Sequence, residues 1–433
     1  MPSVRPTTKF FLAPFLLAMI TLMGLSTHAQ ENSPYSRYGL GDLIPAQNIL
    51  NRGMGGISSA YADVQSINFS NPASYAEIKL TTFDIGLDYN SRTLMSGIPP
   101  KKFASAYLIP SYLQIGLPIS KKRHVGMNIG LRPISRINYD IISSTRTEID
   151  SVQYNYKGSG GTYQAFTGIG FAIKSLRVGL NAGYMFGNKQ YNTRLAFVND
   201  SIDYKKTNSS DTTRFGGLFF NLGLQYRIRL NSKTVLRLGL NGNIQNTMKA
   251  KRDVTRETYL NDINVGVVTL DSVYTNRNEK GTIIYPASWN AGFVIARGEN
   301  LIFGGELNLG NWNDYRYYGA SDNMRKSWTV RFGAQITPSL TSSNYWKRVA
   351  YRVGTSFGPD NIKINKTIPQ KMFSFGLGLP VRRNPYTNQY SSVNTSFEFG
   401  LKGNKSNDIK ENIFRLSLGL NLSDVWFNKP KYQ

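Results

Sequence analysis

Few residues in this sequence could do covalent or metal chemistry. The chain has no cysteine and two histidines, His28 and His124. Thiolate catalysis, disulfides and thiolate metal sites are thereby excluded. His124 follows the basic run Lys121-Lys122-Arg123, without the partners that a Ser-His-Asp triad or a histidine metal site requires. Gly53-Met54-Gly55-Gly56 has the glycines of a phosphate cradle, but no Lys-Ser or Lys-Thr follows it. No enzymatic activity, metal or cofactor is expected.

Arginine remains. On the strands set out below, Arg132, Arg136, Arg177, Arg227, Arg237, Arg331, Arg352 and Arg415 fall at inward positions, opposite Asp84, Asp88, Glu306 and Glu398. Cross-strand pairing would satisfy many of them, because an unpaired buried charge is expensive. The bases outnumber the acids, however, and a guanidinium binds carboxylates in a bidentate fork. Arg132, Arg136, Arg227, Arg331 and Arg352 are therefore candidate contacts for an anionic group of a ligand. The chain as a whole carries 51 Lys and Arg against 26 Asp and Glu, a formal net charge of +25. Such a surplus suits nucleic acid or acidic lipid.

The N-terminus decides between these. Arg5 and Lys9 precede an apolar run at residues 10–25, and Ser26-Thr27-His28-Ala29 offers small residues for cleavage. That is the layout of a secretory signal peptide, expected to span residues 1–29. No reading motif for nucleic acid is present, so an exported chain points to lipid and lipopolysaccharide as partners. No second apolar segment reaches helix-spanning length, so a membrane would have to be crossed by strands.

The rest of the chain alternates with period two. Phe83, Ile85, Leu87 and Tyr89 oppose Thr82, Asp84, Gly86 and Asp88. Val125, Met127, Ile129 and Leu131 oppose Gly126, Asn128, Gly130 and Arg132. The pattern recurs to residue 422 and predicts an all-β fold, a transmembrane antiparallel barrel of about 14 strands. Tight connections near 120–124, 174–175, 231–233 and 298–300 alternate with polar stretches near 91–111, 143–160, 199–213, 251–283 and 313–326. These predict short turns at one barrel end and long loops at the other. Tyr226, Trp289, Trp312, Trp328, Trp346 and Trp426 lie near strand ends, where aromatic rings favour the membrane interface. Inward glycines such as Gly126, Gly223, Gly333 and Gly354 suit a wall on which another segment packs closely.

One stretch is neither strand nor amphipathic helix. Residues 51–76 read NRGMGGISSAYADVQSINFSNPASYA, with Gly53, Gly55, Gly56 and Ser58 permitting close approach and Asn71-Pro72-Ala73 favouring a turn. An Arg-Gly-Met-Gly-Gly segment, a small-residue run with Ala62-Asp63, and Asn-Pro-Ala before such a barrel resembles the FadL family. These are outer-membrane transporters of long-chain fatty acids and other hydrophobic compounds. The segment is also similar to the related PorV-type barrel subunits of secretion machinery. Tyr285-Pro286 with Gly292, Trp312, and Trp328 with Arg331 and Gly333 look like that family's later strands.

The resemblance implies a division into residues 30–76 as a luminal hatch, 77–422 as the barrel and 423–433 as a C-terminal tail. It implies gate positions at Gly53, Gly55, Gly56, Asn71, Pro72 and Ala73, and a hydrophobic small-molecule ligand. It also implies a lateral exit at a kinked third strand, for which Pro133 is the candidate; a strand-end proline is the alternative. The Tyr- and Gly-rich run PYSRYGLGDLIP and the tail have no counterpart in those transporters. They motivate a second reading, a non-transporting barrel that serves as scaffold or shuttle among other outer-membrane subunits.

Overall fold

The computed structural model describes residues 33–96, 101–146, 150–198, 205–262, 266–298, 300–383 and 390–424. The expected signal peptide, and the tail from residue 425 with Trp426, lie outside them. Fourteen antiparallel strands close into a barrel. They are β1 (Thr81–Ser96), β2 (Lys101–Ser120), β3 (Val125–Arg146), β4 (Ser151–Ile173) and β5 (Leu176–Phe197). Then come β6 (Lys206–Arg229), β7 (Thr234–Asn243, resuming at Asn246–Asp262) and β8 (Gly266–Tyr285, resuming at Ser288–Arg297). The last six are β9 (Leu301–Gly310), β10 (Ser327–Ile336), β11 (Ala350–Ile364), β12 (Lys366–Arg383), β13 (Tyr390–Lys402) and β14 (Ile409–Asp424). The ring shuts where β14 pairs with β1, from Ile409 opposite Ser96 to Asp424 opposite Thr81.

The barrel is apolar outside and polar inside. Ile169, Phe171, Leu222, Leu238, Phe303, Phe332, Phe373 and Phe399 are exposed on the outer face. Gln114, Asn128, Asn181, Gln225, Glu306 and Glu398 are buried on the inner one. A water-soluble barrel would reverse this; lipid tolerates an outer apolar face because closure leaves no unpaired edge around most of the ring. Trp289, Trp328, Trp346 and Tyr226 are exposed, in keeping with the interface reading, but Trp312 is buried inside the barrel.

The loop expectation needs correction. Much of the four polar stretches from 91–111 to 251–283 is strand: β3 pairs with β4 out to Arg146 opposite Ser151, and β7 with β8 out to Asp262 opposite Gly266. These hairpins carry the strands into polar sequence, although Leu94, Val152 and Tyr259 within them are still buried. The hydropathy alternation that marks a membrane strand therefore vanishes while the ladder of backbone hydrogen bonds continues.

Residues 33–80 run inside the ring. A helical turn at Ile49–Arg52 is capped by Asn48, whose side chain accepts from Asn51 N at 2.9 Å. A 3-10 turn at Pro72–Glu77 is capped by Asn71, which accepts from Ala73 N at 3.0 Å, with Pro72 at the position where no N–H is needed. β1 starts four residues later.

Candidate functional site: a filled lumen and a gap in the wall

The inner glycines admit the luminal segment. A Cβ added at Gly354 would stand 2.0 Å from Gly55 N, and one at Gly333 2.1 Å from Met54 O. At Gly223 it would meet Asn71 Oδ1, at Gly179 the Pro72 carbonyl carbon, and at Gly126 the Tyr75 carbonyl oxygen. Backbone thus lies on backbone around much of the ring. Gly55 (φ 69°) and Gly56 (φ 84°) adopt the left-handed region, whereas Gly53 is right-handed and serves by closeness to Gly376. Asn71 Nδ2 donates to Ser59 O at 2.6 Å and to Leu224 O at 3.2 Å, which ties the Asn-Pro-Ala turn to β6. Ala73 is fully buried.

Charge fixes the segment in place. Arg52, 1% exposed, meets Asp88 of β1 at 2.8 Å, Glu398 of β13, and Ser417 of β14 at 2.7 Å. Glu306 of β9 accepts from Ser58 N and Ser59 N, both at 2.7 Å, and pairs with Arg331 at 2.6 Å. Arg415 joins Glu398 at 3.2 Å. Asp42 pairs with Arg92 of β1 and lies 4.0 Å from Lys402 of β13, which also holds Asp360. Burial pushes the Asp42 carboxyl up, but Arg92 and Lys402 more than offset this and hold it below the usual range. The run from Pro34 belongs to the same arrangement. Tyr35 packs on Ile362 and Ile368, donates to Ile409 O at 2.8 Å, and lies under the Lys402 ammonium, 4.6 Å from the ring centre.

At the other end, Glu77 pairs with Arg177 at 2.7 Å and lies 3.7 Å from Arg237. Burial raises its pKa, and Arg237 and Arg177 lower it further than that, to a value under the ordinary 4.5. A depressed carboxylate stabilises the fold above its unfolded value and stops doing so as pH falls through the folded one. The melting temperature of the parent chain should therefore exceed that of Glu77→Gln most at neutral pH. The difference should shrink in scans run below about pH 4.5.

Of the five arginines singled out as ligand contacts, Arg331 is neutralised by Glu306, and Arg352 is engaged by Gln335 and Asn394. Arg136 stacks over Tyr107, and Arg227 contributes to the field at Glu77. Arg132 has no carboxylate partner among the described residues; it donates to Gln164 at 3.1 Å and lies over the Phe69 ring. Arg132 and Arg331 line one cavity of about 330 Å³, while Arg352 sits away from it. Sequence reasoning missed Arg52 as an anchor, and missed Asp42, Arg92 and Lys402 altogether.

Among the described residues, the wall parts between β2 and β3. β2 and β3 pair from Ser120 opposite Val125 to Leu113 opposite Leu131 and then part. Beyond this point β2 keeps its ladder with β1, and β3 its ladder with β4, but the two no longer pair with each other. Pro133 sits at the break, and the β3–β4 register slips between Pro133 and Ser135. Across the gap, the β1–β2 register slips beside Pro110. A proline cannot donate to a ladder, so a pair of them at one seam removes the hydrogen bonds that would close it. Residues of the luminal segment fill the space. Asp42 and Leu43 pair with Arg136 and Ser135, and Ile44 N donates to Ile134 O at 2.9 Å.

Among the described residues there is no cluster of three or more metal-ligating side chains, and no helix long and apolar enough to cross a membrane. The fold is that of FadL-family channels. The chain is similar to a FadL homologue of Pseudomonas aeruginosa, at 11% identity, TM-score 0.60, covering 88% of this chain and 99% of that one. It is similar to the toluene transporter TodX of Pseudomonas putida (16%, TM-score 0.58, 89% and 99%) and to the CymD monoaromatic hydrocarbon channel (15%, TM-score 0.55, 90% and 99%). No curated protein matches the sequence. The BamG family model matches residues 12–433, and the chain belongs to that family.

Proposed function

We propose that this chain is an outer-membrane barrel, exported by its signal peptide, that passes hydrophobic small molecules such as long-chain fatty acids by passive diffusion. Residues 30–76 act as its hatch, and the seam between β2 and β3 as its lateral exit. The observation that carries this reading is the parting of β2 from β3 above Leu131, with Pro133 at the break. Molecules leaving there enter the bilayer without crossing the barrel's full height, and neither nucleotide nor cofactor is required. Gly53, Gly55, Gly56 and the Asn71-Pro72-Ala73 turn let the hatch lie against the wall without being bonded to it covalently. Lipopolysaccharide is the expected neighbour of a chain with this surplus of positive charge. Labelled oleate or toluene should enter proteoliposomes faster with the protein than without it; equal rates would sink the reading.

A second reading is favoured by the charges that close the same seam. Asp42, Arg92 and Lys402 bind the segment to the wall, and a charged lumen is a poor path for a hydrocarbon. On this reading the chain is a non-transporting subunit of a multiprotein outer-membrane complex for secretion or barrel assembly. Membership of the BamG family belongs with it. Purification in mild detergent followed by mass spectrometry separates the two: stoichiometric partner proteins favour the subunit, their absence the transporter.

A further inference from the structure

The 330 Å³ cavity has two unlike walls. On the side of β1, β13 and β14 the lining is ionic, and its groups are spent on one another: Arg52 and Arg415 on Glu398, Arg92 and Lys402 on Asp42. The side formed by β6 to β9 is made of amides and rings instead. Asn221, Asn241, Asn290 and Asn308 project there beside Tyr285 and Trp312. The two rings meet edge to face, 5.7 Å between centres.

Part of this amide capacity holds the luminal segment, since Asn221 and Asn241 both donate to Ser70 O, at 3.0 and 2.8 Å. The remainder is unspent. Asn308 donates to Asn290 Oδ1 at 2.7 Å, which leaves the Asn290 amide hydrogens and the Asn308 carbonyl facing the cavity. An amide offers a donor and an acceptor side by side, the complement of neighbouring hydroxyl groups. Tyr285 and Trp312 add apolar surface beside the amides, which suits the C–H side of a sugar. A hydrocarbon would strip water from these amides and return no hydrogen bonds, which is unfavourable at every one of them.

The geometry points to a binding site for a polyhydroxylated group: a glycan, either free or as the head of an amphiphile, with Arg132, which has no carboxylate partner among the described residues, also in the lining. The volume is that of a small-ligand pocket. This inference does not depend on whether the chain passes anything through the seam between β2 and β3.

The test is binding, measured on the full chain in lauryldimethylamine oxide micelles, which carry no sugar. Saturation-transfer NMR is run with maltose and, separately, with octyl glucoside, and resonances of the sugar ring are followed. Transfer to the ring is expected. It should weaken at least ten-fold in Asn290→Leu/Asn308→Leu, neither of which touches the luminal segment, and in Trp312→Phe, with heat-modifiable gel migration showing that each barrel is folded. Binding of both probes assigns a free glycan, and binding of octyl glucoside alone an amphiphile's head. No transfer to either ring, or transfer that both folded variants retain, overturns the proposal and leaves a solvent-filled cavity.

Discussion

Replacing Arg52 with leucine should destabilise the folded chain by about 3–5 kcal/mol, the cost of leaving buried charge without its partner. The reason is the arrangement at its guanidinium. Asp88 receives two hydrogen bonds from Nη1, at 2.9 and 2.8 Å, and Glu398 is held by Nε and Nη2. Leucine fills much of the volume but takes from Asp88 the cation it is paired with and leaves Glu398 dependent on Arg415. Arg52→Lys should recover only part of the loss, because an ammonium is a point charge and cannot fork between two carboxylates. Guanidinium-chloride unfolding, followed by tryptophan emission, should give the order parent, Arg52→Lys, Arg52→Leu. An Arg52→Leu midpoint equal to that of the parent would show that the pairs hold nothing together.

The second large effect is steric. A side chain at Gly354 would overlap Gly55 N and the Met54 carbonyl carbon, at 2.0 and 2.3 Å for the Cβ alone. These are backbone atoms and cannot rotate aside, so either the strand or the segment must move. β11 is bonded along both edges, to β10 and β12. The segment near Gly55 has no strand ladder along its edges; it is held by the ion pairs of Arg52 and by single hydrogen bonds such as Gly55 N to Ser374 Oγ at 2.8 Å. Overpacking of about 1–3 kcal/mol is therefore relieved by the segment. In Gly354→Val, trypsin should cut after Arg52 many-fold faster than in the parent, while the barrel keeps its heat-modifiable migration. Planar-bilayer conductance should rise with it. Parental protection at Arg52 in the folded variant would mean that the wall yields rather than the segment.

The barrel was legible because lipid outside and polar contents inside impose a period of two on every strand within the apolar belt. Where the hairpins leave that belt the constraint lapses, which is why 143–160 and 251–283 read as loops although their strands continue. Glycines at 126, 223, 333 and 354 pointed to something lying against the wall, and the segment at 53–75 meets all four. The seam was half legible. Pro133 marked it, whereas Pro110, on the facing strand, was passed over inside an unpatterned stretch. The anchors of the segment were not legible. Arg52 meets Glu398 at a separation of 346 residues, a pairing fixed by ring closure and by no local pattern. Trp312 misled for a related reason, since an aromatic near a strand end is equally placed to face lipid or the lumen. The surplus of inward arginine was real as a count, but Glu306, Glu398 and Glu77 absorb much of it, the last from a turn and not from a strand.

The central claim is that the seam between β2 and β3 is an exit kept shut by residues 42–44. The chain has no cysteine, so one engineered pair is unambiguous. Leu43 and Ser135 face each other across the added strand, and Leu43→Cys/Ser135→Cys can bind the segment to β3. Uptake of labelled oleate into proteoliposomes is then measured with this variant, oxidised and after dithiothreitol. The account predicts that oxidation abolishes protein-dependent uptake and that reduction restores it. Equal uptake in both states, with the disulfide verified by mass spectrometry, would contradict it.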